Sequence, residues 1–197
     1  TVIQNLDETS RSILIWRSML QWLGGIGIIV IAIAVFPMLK VGGMQLFRSE
    51  FSSKDDKILP RTVSIAIGIG LVYLVLTITC FLSLVSAGMD VFDGIAHALT
   101  IIATGGFSTK NMSIGHFNSL YIEAVTIFFM LISSLPFLLL FQFSKGKVLD
   151  LLKNSQVHFF ILIVFILTII TSFWLQKYYE VGFLQALRIS SFSIVSI

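Results

Sequence analysis

The stretch IIATGGFST at residues 101–109 ends an apolar run with a threonine, two glycines, a phenylalanine and two hydroxyl residues. Its chemistry would lie in the backbone. Glycine permits backbone angles that turn consecutive carbonyl oxygens to one side, and a ring of carbonyls can replace the hydration shell of a cation. Thr104 offers both a carbonyl and a hydroxyl. No acidic side chain lies between Thr100 and Thr109. That suits a dehydrated monovalent ion held by dipoles better than calcium held by a ring of carboxylates. The same glycines also read as a packing turn, because small residues in membrane helices mark close contacts.

Other candidate chemistry is thin. GGIGIIV at 24–30 has dinucleotide-loop glycines, but no strand precedes it and it sits inside an apolar helix. Gly24, Gly25, Gly27, Gly68 and Gly70 read as helix-packing positions. His97, His116 and His158 lack metal-ligand spacing and read as packing residues. Cys80 is the single cysteine, which excludes a disulfide within the chain. No nucleophile, base and acid stand together, so no enzyme is expected.

The elements that must position the loop are membrane helices. Of 197 residues, 56% are hydrophobic and 12% charged, with a mean hydropathy of +0.98. A soluble domain carries about 25% charge, so the surface of this chain must face lipid. Four runs approach the roughly 20 residues that cross about 30 Å of hydrocarbon. They lie at about Ser12 to Leu39, Thr62 to Ala87, Leu120 to Phe143 and Val157 to Leu175. Two further apolar runs, Val91 to Ala103 and Gly182 to Ile197, are too short to cross. Each follows a polar turn carrying an acid, Asp90 or Glu180, so a unit of long helix, turn and short helix occurs twice. The first Met is absent and the chain stops within an apolar run, which reads as a fragment of something longer.

Lys40, Arg48, Lys54, Lys57 and Arg61 crowd one loop, and Lys145, Lys147 and Lys153 another. Cytoplasmic loops carry such excesses. Both short runs then begin and end on the outer side and are re-entrant. Irregular backbone at membrane depth is tolerated only where it lines a cavity or is buried in protein. A half-helix entering from outside would aim its partly negative C-terminal end at the pore centre, which favours a cation.

Trp16 to Glu50, WRSMLQWLGGIGIIVIAIAVFPMLKVGGMQLFRSE, resembles the Trk/Ktr/HKT superfamily of potassium transporters, and most of all its bacterial Trk-type membrane subunits. Phe92 to Phe117, FDGIAHALTIIATGGFSTKNMSIGHF, is similar to their second pore loop, and PRTVSIA at 60–66 to the start of their second repeat. The resemblance implies an all-α integral membrane fold of repeated outer helix, re-entrant pore helix, filter loop and inner helix. Residues 1–40 would then hold the inner helix of repeat one with its preceding segment, and 41–60 a cytoplasmic loop. Residues 61–144 would be a complete second repeat and 145–155 a second cytoplasmic loop. Residues 156–197 would be the outer and pore helices of repeat three, ending before its filter.

The resemblance matches the family's filter glycine to Gly105. Thr104, Gly106 and Phe107 form the rest of the loop, and the carbonyls of Ala103, Thr104 and Gly105 are the expected potassium contacts. In related plant and fungal members a serine at this glycine goes with sodium. Also implied are a homodimer, a cytoplasmic ring of nucleotide-binding regulatory subunits docking on the basic loops, and residence in the bacterial inner (plasma) membrane among lipid. Arg17 and Gln21 would line the pore entrance, cap the neighbouring loop, or snorkel to the interface. Glu123 would draw cations to the mouth or pair with Lys110, and Arg188 would tie its short helix to a neighbour. Potassium uptake is the leading reading. A non-conducting scaffold that kept the repeat fold and a secondary transporter of another solute are the alternatives. The topology is testable by labelling: a cysteine at Ser53 is expected to react only from the cytoplasmic side and one at Asn111 only from outside. Reaction of both from one side would rule out the re-entrant arrangement.

Overall fold

The structure, a computed structural model, describes residues 5–39, 58–179 and 181–197. Most of the first basic loop and Glu180 lie outside the described residues. The described chain is helical: α1 (Arg11–Leu39), α2 (Ile58–Ser86), α3 (Val91–Ile102), α4 (Leu120–Ser133), α5 (Phe137–Ser144), α6 (Val148–Leu152), α7 (Ser155–Tyr179) and α8 (Phe183–Ser196). Short 3-10 turns occupy Leu6–Glu8 and Ser113–Phe117. Ser64–Ser86 and Ser155–Tyr179 are each long and apolar enough to cross a membrane. α1 carries no charged residue from Ser18 to Leu39.

The third expected span is not one helix. α4 and α5 meet at a bend of 96°, with Ser134, Leu135 and Pro136 between them. Proline has no N–H to donate and clashes with the preceding turn, and it pushes the residue before it out of helical geometry. Pro136 therefore ends α4 and serves as the N-cap of α5, a position where its missing donor costs little. The 14 residues of α4 rise about 21 Å, short of the roughly 30 Å of hydrocarbon.

Short α3 lies at the centre, packed against α1, α2 and α4. Its Ala96, Ala98 and Ile102 are almost wholly buried, as are Tyr73, Cys80 and Leu84 of α2. Apolar helices in lipid gain little from hydrophobic segregation, so close packing and hydrogen bonds must hold them together. Trp22 Nε1 donates to Thr77 Oγ1 at 2.9 Å, and Tyr73 Oη donates to the Trp22 carbonyl at 3.0 Å. The Tyr73 ring lies 5.3 Å from Trp22 and 5.5 Å from Phe137, which joins α1, α2 and α5. Thr77, Thr79, Ser83, Thr126 and Ser172 return their hydroxyls to carbonyls one turn back, as expected of such residues in membrane helices. α7 packs mainly on α8 and leaves Phe159, Phe165 and Phe173 exposed.

Of the glycines read as packing positions, Gly68 lies directly beneath the Phe141 ring, Gly25 against Ala103 and Tyr73, and Gly70 near Ile26. Gly24 and Gly27 have nothing near them among the described residues. Gly68→Ala would press a methyl into Phe141 and is expected to cost about 1–3 kcal/mol. A lowered melting temperature, partly restored by adding Phe141→Leu, is the expected result. An unchanged one would mean that α5 does not dock on α2 as described.

Candidate functional site

The loop after α3 starts as a helix C-terminal motif. The Gly105 N–H donates to the Thr100 carbonyl at 2.9 Å and the Thr104 N–H to the Ile101 carbonyl at 3.0 Å. That is the Schellman pattern, which places its second-last residue in the left-handed region, usually as glycine. The same pattern ends α2 (Met89 N–H to Leu84, Gly88 N–H to Val85) and α5 (Lys147 N–H to Gln142, Gly146 N–H to Phe143). Those two turns use Gly88 at φ 101° and Gly146 at φ 84°. The turn after α3 uses Thr104 at φ 51°. A β-branched residue there is a true outlier, and the left-handed conformation costs about 1–2 kcal/mol for a residue with a Cβ.

Gly105 was expected to supply unusual backbone angles. It lies outside the left-handed region, whereas Gly106 lies within it at φ 73°. Gly105 is required by space instead: a Cβ on it would overlap the side-chain amide of Gln21. Gln21 Nε2 donates to the Gly105 carbonyl at 2.8 Å, and the Arg17 guanidinium stacks 4.4 Å from the centre of the Phe107 ring. Arg17 and Gln21, one turn apart on α1, thus hold the loop from one side. Gly25, one turn further, approaches the same loop, since a Cβ there would meet Ala103 at 3.3 Å and Tyr73 Oη at 2.7 Å. Arg17 Nη1 and Gln21 Oε1 are buried without hydrogen-bond partners among the described residues, and such atoms are rare in native structures.

α3 itself holds the loop from the other side. Thr100 Oγ1 donates to the Phe107 carbonyl at 2.9 Å. His97 Nε2 lies 2.9 Å from Ser108 Oγ, with Nδ1 2.8 Å from the Asp93 carbonyl. Thr109 Oγ1 donates to Asp93 Oδ1 at 2.7 Å, and Lys110 Nζ is 3.4 Å from Asp93 Oδ2. The returning limb is pinned residue by residue against the descending helix. None of Asp93, His97 or Thr100 was marked as functional in the sequence, and His97 read as packing. Their spacing of four and then three residues puts them on one helix face, a polar face on an otherwise apolar helix. Beyond the loop, Asn111 accepts from the Leu6 N–H at 2.7 Å and donates to Asp7 Oδ2 at 2.6 Å.

The result is a backbone segment framed on both sides and open in front. Ile101, Ile102 and Thr109 are buried, whereas Thr104, Gly105 and Gly106 are exposed. The Thr104 hydroxyl has no hydrogen-bond partner among the described residues, and α3 points its C-terminal, partly negative end at this opening. Glu123 and Arg188 do not join the loop. Arg188 Nε and Nη2 donate to Glu123 Oε2 and Oε1 at 2.5 and 2.6 Å. This two-pronged pair ties α8 to α4. Lys110 is instead the partner of Asp93, so the expected Glu123–Lys110 alternative is not formed.

Fold and site together define an all-helical integral membrane protein built around an enclosed half-length helix and an exposed backbone loop. The chain belongs to the TrkH family of cation transport proteins, whose sequence model matches residues 1–178. It is 42% identical over 202 aligned residues to the Trk system potassium uptake protein TrkH of Halomonas elongata, covering 100% of this chain and 42% of that protein. With the TrkH of Escherichia coli K12 it shares 40% over 201 residues, covering 100% of this chain and 41% of that protein. The crystal structure of the potassium transporter TrkH from Vibrio parahaemolyticus superposes with a TM-score of 0.85 at 38% identity, over 100% of this chain and 40% of that one. The chain therefore spans about two fifths of the length of these relatives.

The strain at Thr104 has a measurable consequence. Thr104→Gly removes a penalty of about 1–2 kcal/mol and adds glycine's backbone entropy of about 0.5–1 kcal/mol. It is expected to raise the melting temperature slightly, and a clear fall would mean that Thr104 is not strained as described.

Proposed function

We infer that this chain forms part of a Trk-type potassium-uptake subunit in the bacterial inner (plasma) membrane, and that Ala103, Thr104 and Gly105 give their carbonyls to the ion while Gly106 and Phe107 complete the loop. The observation that carries this reading is the exposed backbone at 104–106, fixed from both sides at the C-terminal end of a buried half-helix. Such an opening has dipoles to offer and no carboxylate, which suits a dehydrated potassium ion. The names of the relatives, potassium uptake proteins, support the same ion.

In this reading α2, α3, the loop and the broken α4–α5 pair are one pore unit, and α7 with α8 begins another. The Arg188–Glu123 pair then joins the second unit to the pore helix of the third. The basic segments at 40–61 and 145–153 face the cytoplasm. They are the docking surface for a nucleotide-binding regulatory ring, and the subunit works as a homodimer. Exposed apolar faces such as that of α7 meet lipid or the remainder of the fold.

Gly105→Ser separates conduction from the scaffold alternative. The added Cβ drives the Gln21 amide off the Gly105 carbonyl, so the ring loses its fixed size and dipole direction. A change of about 1.4 kcal/mol between the two ions alters selectivity about tenfold. The expected outcome for the full-length protein in reconstituted vesicles is a potassium-to-sodium flux ratio lowered by about that factor, with normal membrane insertion. An unchanged ratio with normal flux would remove Gly105 from the ion path. No flux from the unmutated protein would leave the scaffold reading standing.

A further inference from the structure

The filter reading uses one end of the bundle, and the other end holds a cavity that it does not use. About 240 Å³ in volume, this cavity lies between the start of α2 and α5, with Ser64, Ile65, Leu138, Phe141, Lys145 and Lys147 in its lining. Its level in the membrane can be read from the sequence around it. Ser64 lies three residues after Arg61, near the start of the apolar run of α2, while Lys145 and Lys147 belong to the polar turn after α5. The cavity therefore straddles the boundary between hydrocarbon and water. Its body is apolar and its rim is cationic.

Among the described residues neither lysine has an acidic partner. The Lys145 ammonium lies 4.7 Å from the centre of the Phe141 ring. The ion pairs of the described residues are Lys110–Asp93 and Arg188–Glu123, and neither involves Lys145 or Lys147. The nearest acid in sequence, Asp150, lines an adjoining hollow with Lys147 but forms no ion pair with it. Gln142, also in the cavity wall, keeps a buried Oε1 without a donor among the described residues. An occupant that satisfied this cavity would have an anionic group for the lysines, a hydroxyl donor nearby and a hydrocarbon body.

We propose that this cavity binds an anionic phospholipid of the phosphatidylglycerol type from the adjoining leaflet, with its phosphate between Lys145 and Lys147 and an acyl chain along Ile65, Leu138 and Phe141. Basic pockets between transmembrane helices at a membrane surface recognise acidic headgroups in this way. The site is independent of the ion path, so it stands or falls apart from the potassium reading, and it assigns Lys145 and Lys147 to lipid, leaving Lys153 of that segment for docking. It also gives the Phe141 ring an apolar contact besides Gly68, in addition to the Lys145 ammonium.

The test is native mass spectrometry of the full-length protein released from micelles containing phosphatidylglycerol and phosphatidylcholine of matched chains. Wild type is expected to retain phosphatidylglycerol preferentially. Each surface lysine contributes roughly a fivefold factor, so Lys145→Gln with Lys147→Gln should weaken that preference about thirtyfold. Lys153→Gln, outside the cavity lining, should leave it intact. The variants change exposed lysines, and an unchanged melting temperature in phosphatidylcholine alone verifies that they fold. A double variant that keeps the wild-type preference for phosphatidylglycerol overturns the proposal. Full displacement by soluble glycerol phosphate also overturns it, because the site would then recognise free phosphate instead of a lipid. Intact lipid preference with lost binding of the cytoplasmic regulatory subunit would assign these lysines to protein docking and overturn it as well.

Discussion

A polypeptide that leaves helical geometry inside the membrane has no water to satisfy its peptide groups. That constraint governs the arrangement around residues 103–109. The turn must be enclosed, so α3 is buried among α1, α2 and α4. Its limb must be held without a sheet partner, so side chains take over the role of a strand. Thr100, His97 and Asp93 face Phe107, Ser108 and Thr109 in succession. α1 adds the amide of Gln21 and the guanidinium of Arg17. Each of these groups would be an awkward polar burden in a lipid-facing helix, and here each has a partner in the loop: a backbone carbonyl, a hydroxyl or, for Arg17, the Phe107 ring.

The three helix ends of one pattern act as an internal control. After α2 and α5 the left-handed position holds glycine, the residue that adopts it freely. After α3 it holds Thr104. Local strain of this kind persists only where the surroundings over-determine the conformation, and it gathers at functional positions. The surroundings here do over-determine it, with hydrogen bonds on both limbs and exposure only at 104–106.

Much of this was legible in the sequence because membrane helices announce themselves by length and hydropathy. The long runs, the two short helices, and the Gly-Gly break fall close to where composition put them. The helix break at Pro136 was equally written in the sequence, as a proline with serines before it, but an unbroken apolar run from Leu120 to Phe143 masked it. The partnerships were harder. Glu123 and Arg188 are 65 residues apart, and nothing in either segment selects the other over Lys110. Gly105 could be singled out in the sequence, but its contact with Gln21 could not. Conformational freedom is a property of a residue, whereas the overlap with Gln21 depends on how α1 lies across the loop. The polar face at 93, 97 and 100 was available from helical spacing alone, hidden because each residue taken singly looks like ordinary packing.

Ser133 is the last residue of α4 before the bend, and its hydroxyl donates to the Ile101 carbonyl at 3.2 Å. The joint between α4 and α5 is therefore not a free swivel. That hydroxyl, shared with the Met130 carbonyl of α4 itself, reaches a carbonyl three residues before Thr104. The lever arm is α5 itself, eight residues long, and Phe137 at its near end bears on Tyr73, which in turn braces α1. In mechanical terms the loop and the broken helix form one linkage, and a load on either is felt by the other.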